Sequence, residues 1–172
     1  MKRILFGLFA GLIAASASPQ LRHLPANDEP EPGRDAEREL SLPALPRQEN
    51  LIEFYVSATA SNRFFIDAAS LSVGPDGVVR YSLVVKAAGG ATNISFEGMR
   101  CGSGEYKILA TGRNDGIWAK ARTDAWRPIE NKPINRHHAA LNRDFFCPNG
   151  LPVANMKEAV DALRHGQHPL AQ

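Results

Sequence analysis

The chain has 172 residues, with 20 Lys and Arg against 18 Asp and Glu, a formal net charge of +2, and two cysteines. This length suits one folded domain. Such a small excess of positive charge excludes the concentrated basic composition of a non-specific nucleic-acid binder, so we expect no nucleic-acid partner.

The N-terminus has the plan of a secretory signal peptide. Lys2 and Arg3 precede an uncharged apolar run, and the small residues ASA follow at positions 15–17. The run is shorter than the about 20 apolar residues that a membrane anchor needs. We predict a cleaved signal over residues 1–17 and a periplasmic or secreted protein with no membrane span in its mature form. Its mature charge is then balanced, at 18 basic and 18 acidic residues.

Residues 18–50 form a leader that is rich in proline and acidic side chains. It contains seven acidic and four basic residues, six prolines and no aromatic residue. Such a segment buries too little apolar surface to offset the entropy of ordering it, so we predict a flexible, partly extended linker. A partner-binding tail is the alternative, since DAERELSLPAL resembles a short helix.

Alternating apolar residues predict the strands of one folded domain over residues 51–166. In VVRYSLVVK the apolar face contains four residues: Val79, Tyr81, Leu83 and Val85. The opposite face carries Arg80, Ser82 and Lys86. The pattern therefore predicts a strand with one buried face and one wetter face.

The same alternation recurs in LIEFYVS, RFFIDAASLSVG, ATNISFEGMRC, GEYKILATG and IWAKART. PDG at residues 75–77 and NDG at residues 114–116 predict tight turns between neighbouring strands. Gly98 predicts a bulge in its strand. Because the connections are short, we expect antiparallel neighbours rather than crossover units.

Helical periodicity replaces alternation near the end of the chain. It places two apolar stripes, one of His138, Leu141 and Phe145 and one of Met156, Val160 and Leu163. Asn155 and Glu158 resemble a capping box, and Gly166 predicts the end of the second helix, ahead of a tail over residues 167–172. We predict a single α+β domain, an antiparallel sheet of about five to seven strands covered by one or two C-terminal helices.

Cys101 and Cys147 predict a disulfide, because an exported protein with an even number of cysteines most simply pairs them. Two alternatives are weaker. A nucleophilic Cys147 with His137 has no known spacing, and a disulfide would consume its thiolate. A zinc site would need further ligands from the histidines at 137, 138, 165 and 168, which fit structural or solvent-facing roles better. We expect no metal and no cofactor.

GIWAKARTDAW contains the best candidate for a binding site. Alternation places Trp118, Lys120 and Arg122 on one face, an aromatic ring beside two cations, with Trp126 close in sequence. Such a face suits a glycan or an anionic ligand. The alternative places Trp118 in the core with the cation stems covering it.

Several separated segments together resemble the CNP1-like family, an uncharacterised family of exported proteobacterial proteins. They are YSLVVKAAGGATNISFEGMRC, EYKILATG, DGIWAKAR with the second tryptophan, and LNRDFFCPNG. The resemblance spans residues 51–163 and implies an envelope protein with a signal sequence. It implies no catalytic residues.

Together these features favour an exported envelope protein that acts as a non-enzymatic binding or interaction module. Its expected partner is an envelope protein, a glycan or an anionic ligand. A hydrolytic or metal-dependent enzyme using His137 or His138 is one alternative, and a structural envelope component is another. A pocket that joins a histidine to a carboxylate would favour the enzyme.

Overall fold

The computed structural model describes residues 41–123, 125–134 and 136–171. The predicted signal peptide and most of the predicted leader lie outside the described residues. In the described part of the chain, no helix is long and apolar enough to cross a membrane.

Seven strands form one antiparallel sheet, in which six follow chain order and β7 pairs with β5. The strands are β1 (Leu51–Phe54), β2 (Arg63–Val73), β3 (Val78–Lys86), β4 (Thr92–Arg100), β5 (Glu105–Gly112), β6 (Trp118–Lys120) and β7 (Arg127–Pro128). The helices are α1 (Arg136–Ala140), a π-helical turn (Leu141–Phe146) and α2 (Met156–Arg164), with short 3₁₀ turns at Gln48–Asn50 and Pro148–Gly150. The predicted α+β class, strand number and C-terminal helices are confirmed.

The predicted turns join their strands as hairpins. Between β2 and β3, the Gly77 N–H donates to the Gly74 carbonyl at 3.0 Å. Gly77 has φ 71°, a conformation that glycine adopts without a steric cost. Between β5 and β6, the Gly116 N–H closes the second turn on the Arg113 carbonyl at 3.1 Å.

The predicted bulge at Gly98 is wrong. Gly98 pairs regularly with Lys107. The register between β4 and β5 shifts earlier in β4, where Phe96 pairs with Ala110 but the next residue of β4 pairs with Ile108. Leu109 is therefore the extra residue, on β5. It moves Ala110 to the opposite face of the sheet from Ile108.

The main core lies between the helices and one face of the sheet, which we call the helix face. It includes the apolar stripes of β2, β3 and β4 and the apolar side chains of the helical segments: Phe54, Phe64, Ile66, Val79, Tyr81, Leu83, Met99, Leu141, Phe145, Phe146, Val153, Ala159, Ala162 and Leu163. The Asn155 side chain caps α2 by accepting the Glu158 N–H at 3.0 Å, as predicted. Met156 is 49% exposed in the first turn, so the prediction that it packs is wrong.

The predicted disulfide joins Cys101, just after β4, to Cys147, which follows the π-helical turn. The Cα atoms are 5.3 Å apart and the sequence separation is 46 residues. The bond therefore ties the end of the sheet to the helical layer.

The opposite face of the sheet, the second face, is not the wetter face that alternation predicts. Arg80 is 5% exposed and Ser82 is fully buried. Phe65, Val84 and Phe96 on the same face are also buried. Part of the reason is that side chains from segments without regular structure pack over this face. These segments are residues 41–47, 121–123 and 125–126.

Candidate functional site

A hydrogen-bonded carboxylate and histidine lie in the helix face. The Nε2 of His138 on α1 is 2.8 Å from Oε2 of Glu97 on β4. The Tyr81 hydroxyl donates to the same oxygen at 3.2 Å, and the Ser95 hydroxyl donates to Oε1 at 2.6 Å. Tyr106 stacks on the His138 ring at 3.7 Å between centroids. The three side chains satisfy both oxygens of the carboxylate, whereas the buried Nδ1 of His138 has no hydrogen-bond partner among the described residues.

The surroundings keep Glu97 ionised. Burial alone would raise the pKa of this carboxyl, but the charge and hydrogen bond of His138 and the Ser95 hydroxyl hold it below its usual value. Burial raises the pKa of Tyr81 well above its usual value, and the Glu97 charge adds to this. The tyrosine is therefore a permanent donor, and Glu97 a permanent acceptor, at neutral pH.

The neighbouring His137 has a different environment. Its ring stacks on Phe64 at 5.2 Å between centroids and lies 4.1 Å from the ring of His138. Burial lowers the pKa of His137 from 6.5 to about 4, and the His138 charge acts in the same direction. His137 is therefore neutral at physiological pH.

Glu97 and His138, which form a buried ion pair when the imidazole is protonated, are both inaccessible. Their side chains are 2% and 4% exposed. Two grooves next to α1, of about 280 and 240 Å³, are lined by residues such as Phe64 and Arg136, but not by the ion pair. The arrangement is that of a structural polar cluster within a filled helix–sheet interface.

The histidines of the HGQH segment bind separate partners. His168 is buried and its Nδ1 accepts the Leu170 N–H at 3.1 Å, so its Nε2–H donates to Glu158 at 2.9 Å. His165 is exposed, with Nδ1 2.7 Å from the Asp161 carbonyl. A groove of about 620 Å³ lies beside them between α2 and the tail. Over the described ranges, no group of three or more His, Cys, Asp or Glu is placed to hold a metal ion.

Trp118 lies on the second face at the edge strand β6. Its ring contacts Phe96, with centroids 6.2 Å apart, and its indole Nε1–H donates to the Pro43 carbonyl at 2.7 Å. The side chain is half-buried. Trp118 therefore matches neither alternative from the sequence, an exposed binding residue or a core residue. Its side chain is only half-buried, and its indole N–H already donates to a carbonyl within the chain.

Lys120 and Arg122 are both exposed. Lys120 pairs with Ala110 and shares the face of Trp118, whereas Arg122 follows the end of β6. Neither cation has a carboxylate partner among the described residues, unlike nearby Arg113, which pairs with Asp115. Residues 100–132 contain seven Lys and Arg against four Asp and Glu, so this part of the sequence has a local excess of basic residues.

Trp126 covers the second face further along β4. The Arg100 guanidinium lies 3.9 Å from its ring centroid, and the Lys107 ammonium lies 5.8 Å away. A Cβ on Gly98 would lie 3.3 Å from the Trp126 ring, so the absence of a side chain there allows the close approach. Trp118, Lys120 and Trp126 thus lie on the second face, and Arg122 follows β6 in the chain; we call these four residues the β6 surface.

Sequence reasoning missed two sets of residues. It did not single out Glu97, although Ser95 and Glu97 alternate with the apolar residues of β4. It also assigned LPALPR, at residues 42–47, to the leader. The paired prolines of this segment were a signal for an extended, docked conformation.

Comparison with curated proteins and with solved structures finds no match for the chain. The model of the CNP1-like family matches residues 31–164, which includes the whole sheet and nearly all of the helical layer. The chain therefore belongs to the CNP1-like family.

Proposed function

We propose that the protein is an exported, non-enzymatic interaction module of the cell envelope, and that it binds an anionic partner through the β6 surface. The observation that carries the proposal is the pair of exposed cations Lys120 and Arg122, which have no carboxylate partner among the described residues, beside the half-buried Trp118. Cations next to an aromatic ring at a sheet edge suit a carboxylate, phosphate or sulfate group on a larger partner.

The N-terminus and the cysteines support export. The first 17 residues have the order of a signal peptide, and Cys101 and Cys147 form a disulfide. Such bonds persist in oxidising compartments and are rare in the cytosol. The two features together support a periplasmic or secreted location.

The enzyme alternative would need the buried ion pair to reach a substrate. Glu97 and His138 are almost fully enclosed, and the Nε2 of His138 hydrogen-bonds to the Glu97 carboxylate within the domain. A substrate would have to displace Tyr106 from the histidine ring and open the interface between α1 and the sheet. The exposed cations of the β6 surface need no such rearrangement.

The test is charge reversal with a matched control. Lys120→Glu combined with Arg122→Glu should abolish most cosedimentation with isolated cell-envelope fractions at low salt. Wild-type binding should weaken as salt rises, because screening shortens the Debye length to about 3 Å at 1 M. The control, Lys157→Glu with Arg164→Glu, makes the same charge change on exposed α2 positions and should bind like the wild type.

Two results would contradict the proposal. One is equal binding by the two double variants, which would show that the charge of the β6 surface is irrelevant. The other is wild-type binding that does not change with salt.

A further inference from the structure

Residues 42–46, with the sequence LPALP, lie along the second face as a short extended segment that we call the strap. The segment has no regular secondary structure. Across the described residues, the strap makes no backbone–backbone hydrogen bond to any strand. Proline has no N–H to donate, so Pro43 and Pro46 could not complete a strand ladder. The strap is therefore held by side-chain contacts and does not form an eighth strand.

The strap lies against Trp118, which reaches Pro43, and against Ile94 and Gly112 beside Leu45, while Phe96 supports the Trp118 ring; we call this surface the Trp118 groove. Its polar contact is the bond from the Trp118 indole to the Pro43 carbonyl at 2.7 Å. Its apolar contact is Leu45, whose Cδ2 would lie 3.2 Å from a Cβ on Gly112. Ile94 lies 2.9 Å from the same position, so glycine leaves the space that Leu45 uses.

These contacts have the chemistry of proline-peptide recognition. An aromatic groove that donates an indole N–H to a backbone carbonyl and accepts apolar side chains can bind an extended segment without pairing its backbone. Proline restricts such a segment before it binds, which lowers the entropy lost on docking. The strap combines all of these properties within the chain itself.

We propose that the Trp118 groove is a binding site for a proline-containing extended peptide of a partner protein, with the strap as its internal ligand. A partner segment with an apolar residue two positions after a proline, as in Pro43 and Leu45, would replace the strap. The proposal rests on the proposed interaction function but not on the charges of Lys120 and Arg122.

The connection of the strap favours a partner protein over a second copy of this chain. The strap continues directly into the 3₁₀ turn Gln48–Asn50 and then β1. The Lys86 ammonium donates to the Gln48 side chain at 3.0 Å, which anchors this turn to β3. A strap exchanged between two copies would have to release the turn as well, whereas displacement by a separate peptide would not.

The experiment weakens the internal ligand and supplies a replacement. In the mature chain, Leu45→Asp places a carboxylate against Ile94. The probe is a fluorescein-labelled peptide with the sequence of residues 41–50. The wild type should bind it weakly, because the tethered strap competes at an effective concentration of about millimolar. Leu45→Asp should bind the peptide at least about tenfold more tightly, because its weakened strap competes less. A factor of ten is a modest change in binding free energy.

Indole N–H resonances give a second readout, with an internal control. The chain has two tryptophans, and Trp118→Phe identifies the resonance of each. Leu45→Asp should shift the Trp118 resonance and leave that of Trp126 in place. Adding the peptide should return the Trp118 resonance toward its wild-type position. A peptide that itself carries the aspartate should have no effect.

Several outcomes would overturn the proposal. One is a folded Leu45→Asp protein that binds the peptide no better than the wild type. If this variant does not fold, Leu45→Ala replaces it, and failure of both to fold would show that the strap is an integral part of the core. A wild-type dimer that disappears in Leu45→Asp would identify a second copy as the occupant.

Peptide binding by Leu45→Asp should survive the further changes Lys120→Glu and Arg122→Glu. This result separates the Trp118 groove from the proposed anionic surface.

Discussion

The two faces of the sheet are closed in different ways. Regular helices, the disulfide and the buried ion pair cover the helix face. On the second face, the strap and Trp126 pack over the strands, and the strap is held by one indole hydrogen bond and by side-chain contacts. We therefore expect substitutions in the helix face to cost more stability than substitutions at the contacts that hold the strap.

Glu97 allows the largest test of this difference. Glu97→Ala leaves His138, Tyr81 and Ser95 without their shared acceptor in a buried position. Leaving a buried donor unsatisfied typically costs about 1–3 kcal/mol, so with three donors affected the free energy of unfolding should fall by about 3–5 kcal/mol. Urea denaturation measures it. Glu105→Ala, on the neighbouring strand at a partly exposed position, is the control and should cost less than about 1 kcal/mol. Equal losses would mean that the cluster is not a special source of stability.

The disulfide gives the next largest effect. Replacing both Cys101 and Cys147 with Ala opens a loop of 46 residues, which the chain-entropy model values at about 4 kcal/mol as an upper figure. We expect a loss of about 2–4 kcal/mol in urea denaturation of the double variant. Mass spectrometry of the unreduced wild type should show no free thiol. Two free thiols in the unreduced protein would refute the pairing.

His137 should make the helix face sensitive to acid. Its pKa is about 4 in the folded protein and 6.5 without burial, so the unfolded chain binds a proton first as pH falls. The stability that depends on neutral His137 is therefore complete above about pH 6.5 and is lost progressively toward about pH 4. At about 1.4 kcal/mol per pKa unit, the loss is at most about 3 kcal/mol.

His137→Phe tests this pH dependence, because it keeps a ring against Phe64 and cannot be protonated. Denaturation between about pH 7.5 and about pH 4.5 should show a flatter stability profile for the variant than for the wild type. Glu97, whose pKa is lowered, loses its contribution only below its ordinary value of 4.5, so the two effects occupy different pH ranges. Parallel profiles would show that His137 is not the acid-sensitive group.

Most of the sheet could be predicted because strand alternation and turn residues are local signals. The burial of the second face could not be predicted, because the side chains that cover it come from segments distant in sequence. Pro43 and Trp118 are 75 residues apart, and Glu97 and His138 are 41 apart. No spacing rule connects such pairs. The bulge was predicted on the wrong strand because Gly98 was interpreted as a residue needed for backbone freedom. In the structure, glycine at this position instead leaves space for the Trp126 ring.

The smallest expected effect tests the bond that holds the strap. Trp118→Phe keeps an aromatic contact with Phe96 but removes the indole donor to Pro43. Because the Pro43 carbonyl is only partly buried, water can replace the lost donor, and we expect a loss of about 1 kcal/mol in urea denaturation.

Trp126→Phe is the matched control for this variant. The Trp126 indole N–H donates to no described residue, and phenylalanine keeps part of the attraction to Arg100, so this variant should lose about 0.5 kcal/mol. Protease digestion separates the two further, because only Trp118→Phe should speed cleavage after Arg47, next to the strap. If Trp118→Phe instead cost about 3 kcal/mol or more, its side chain would have to be counted as core, and the contrast between the two faces would no longer hold.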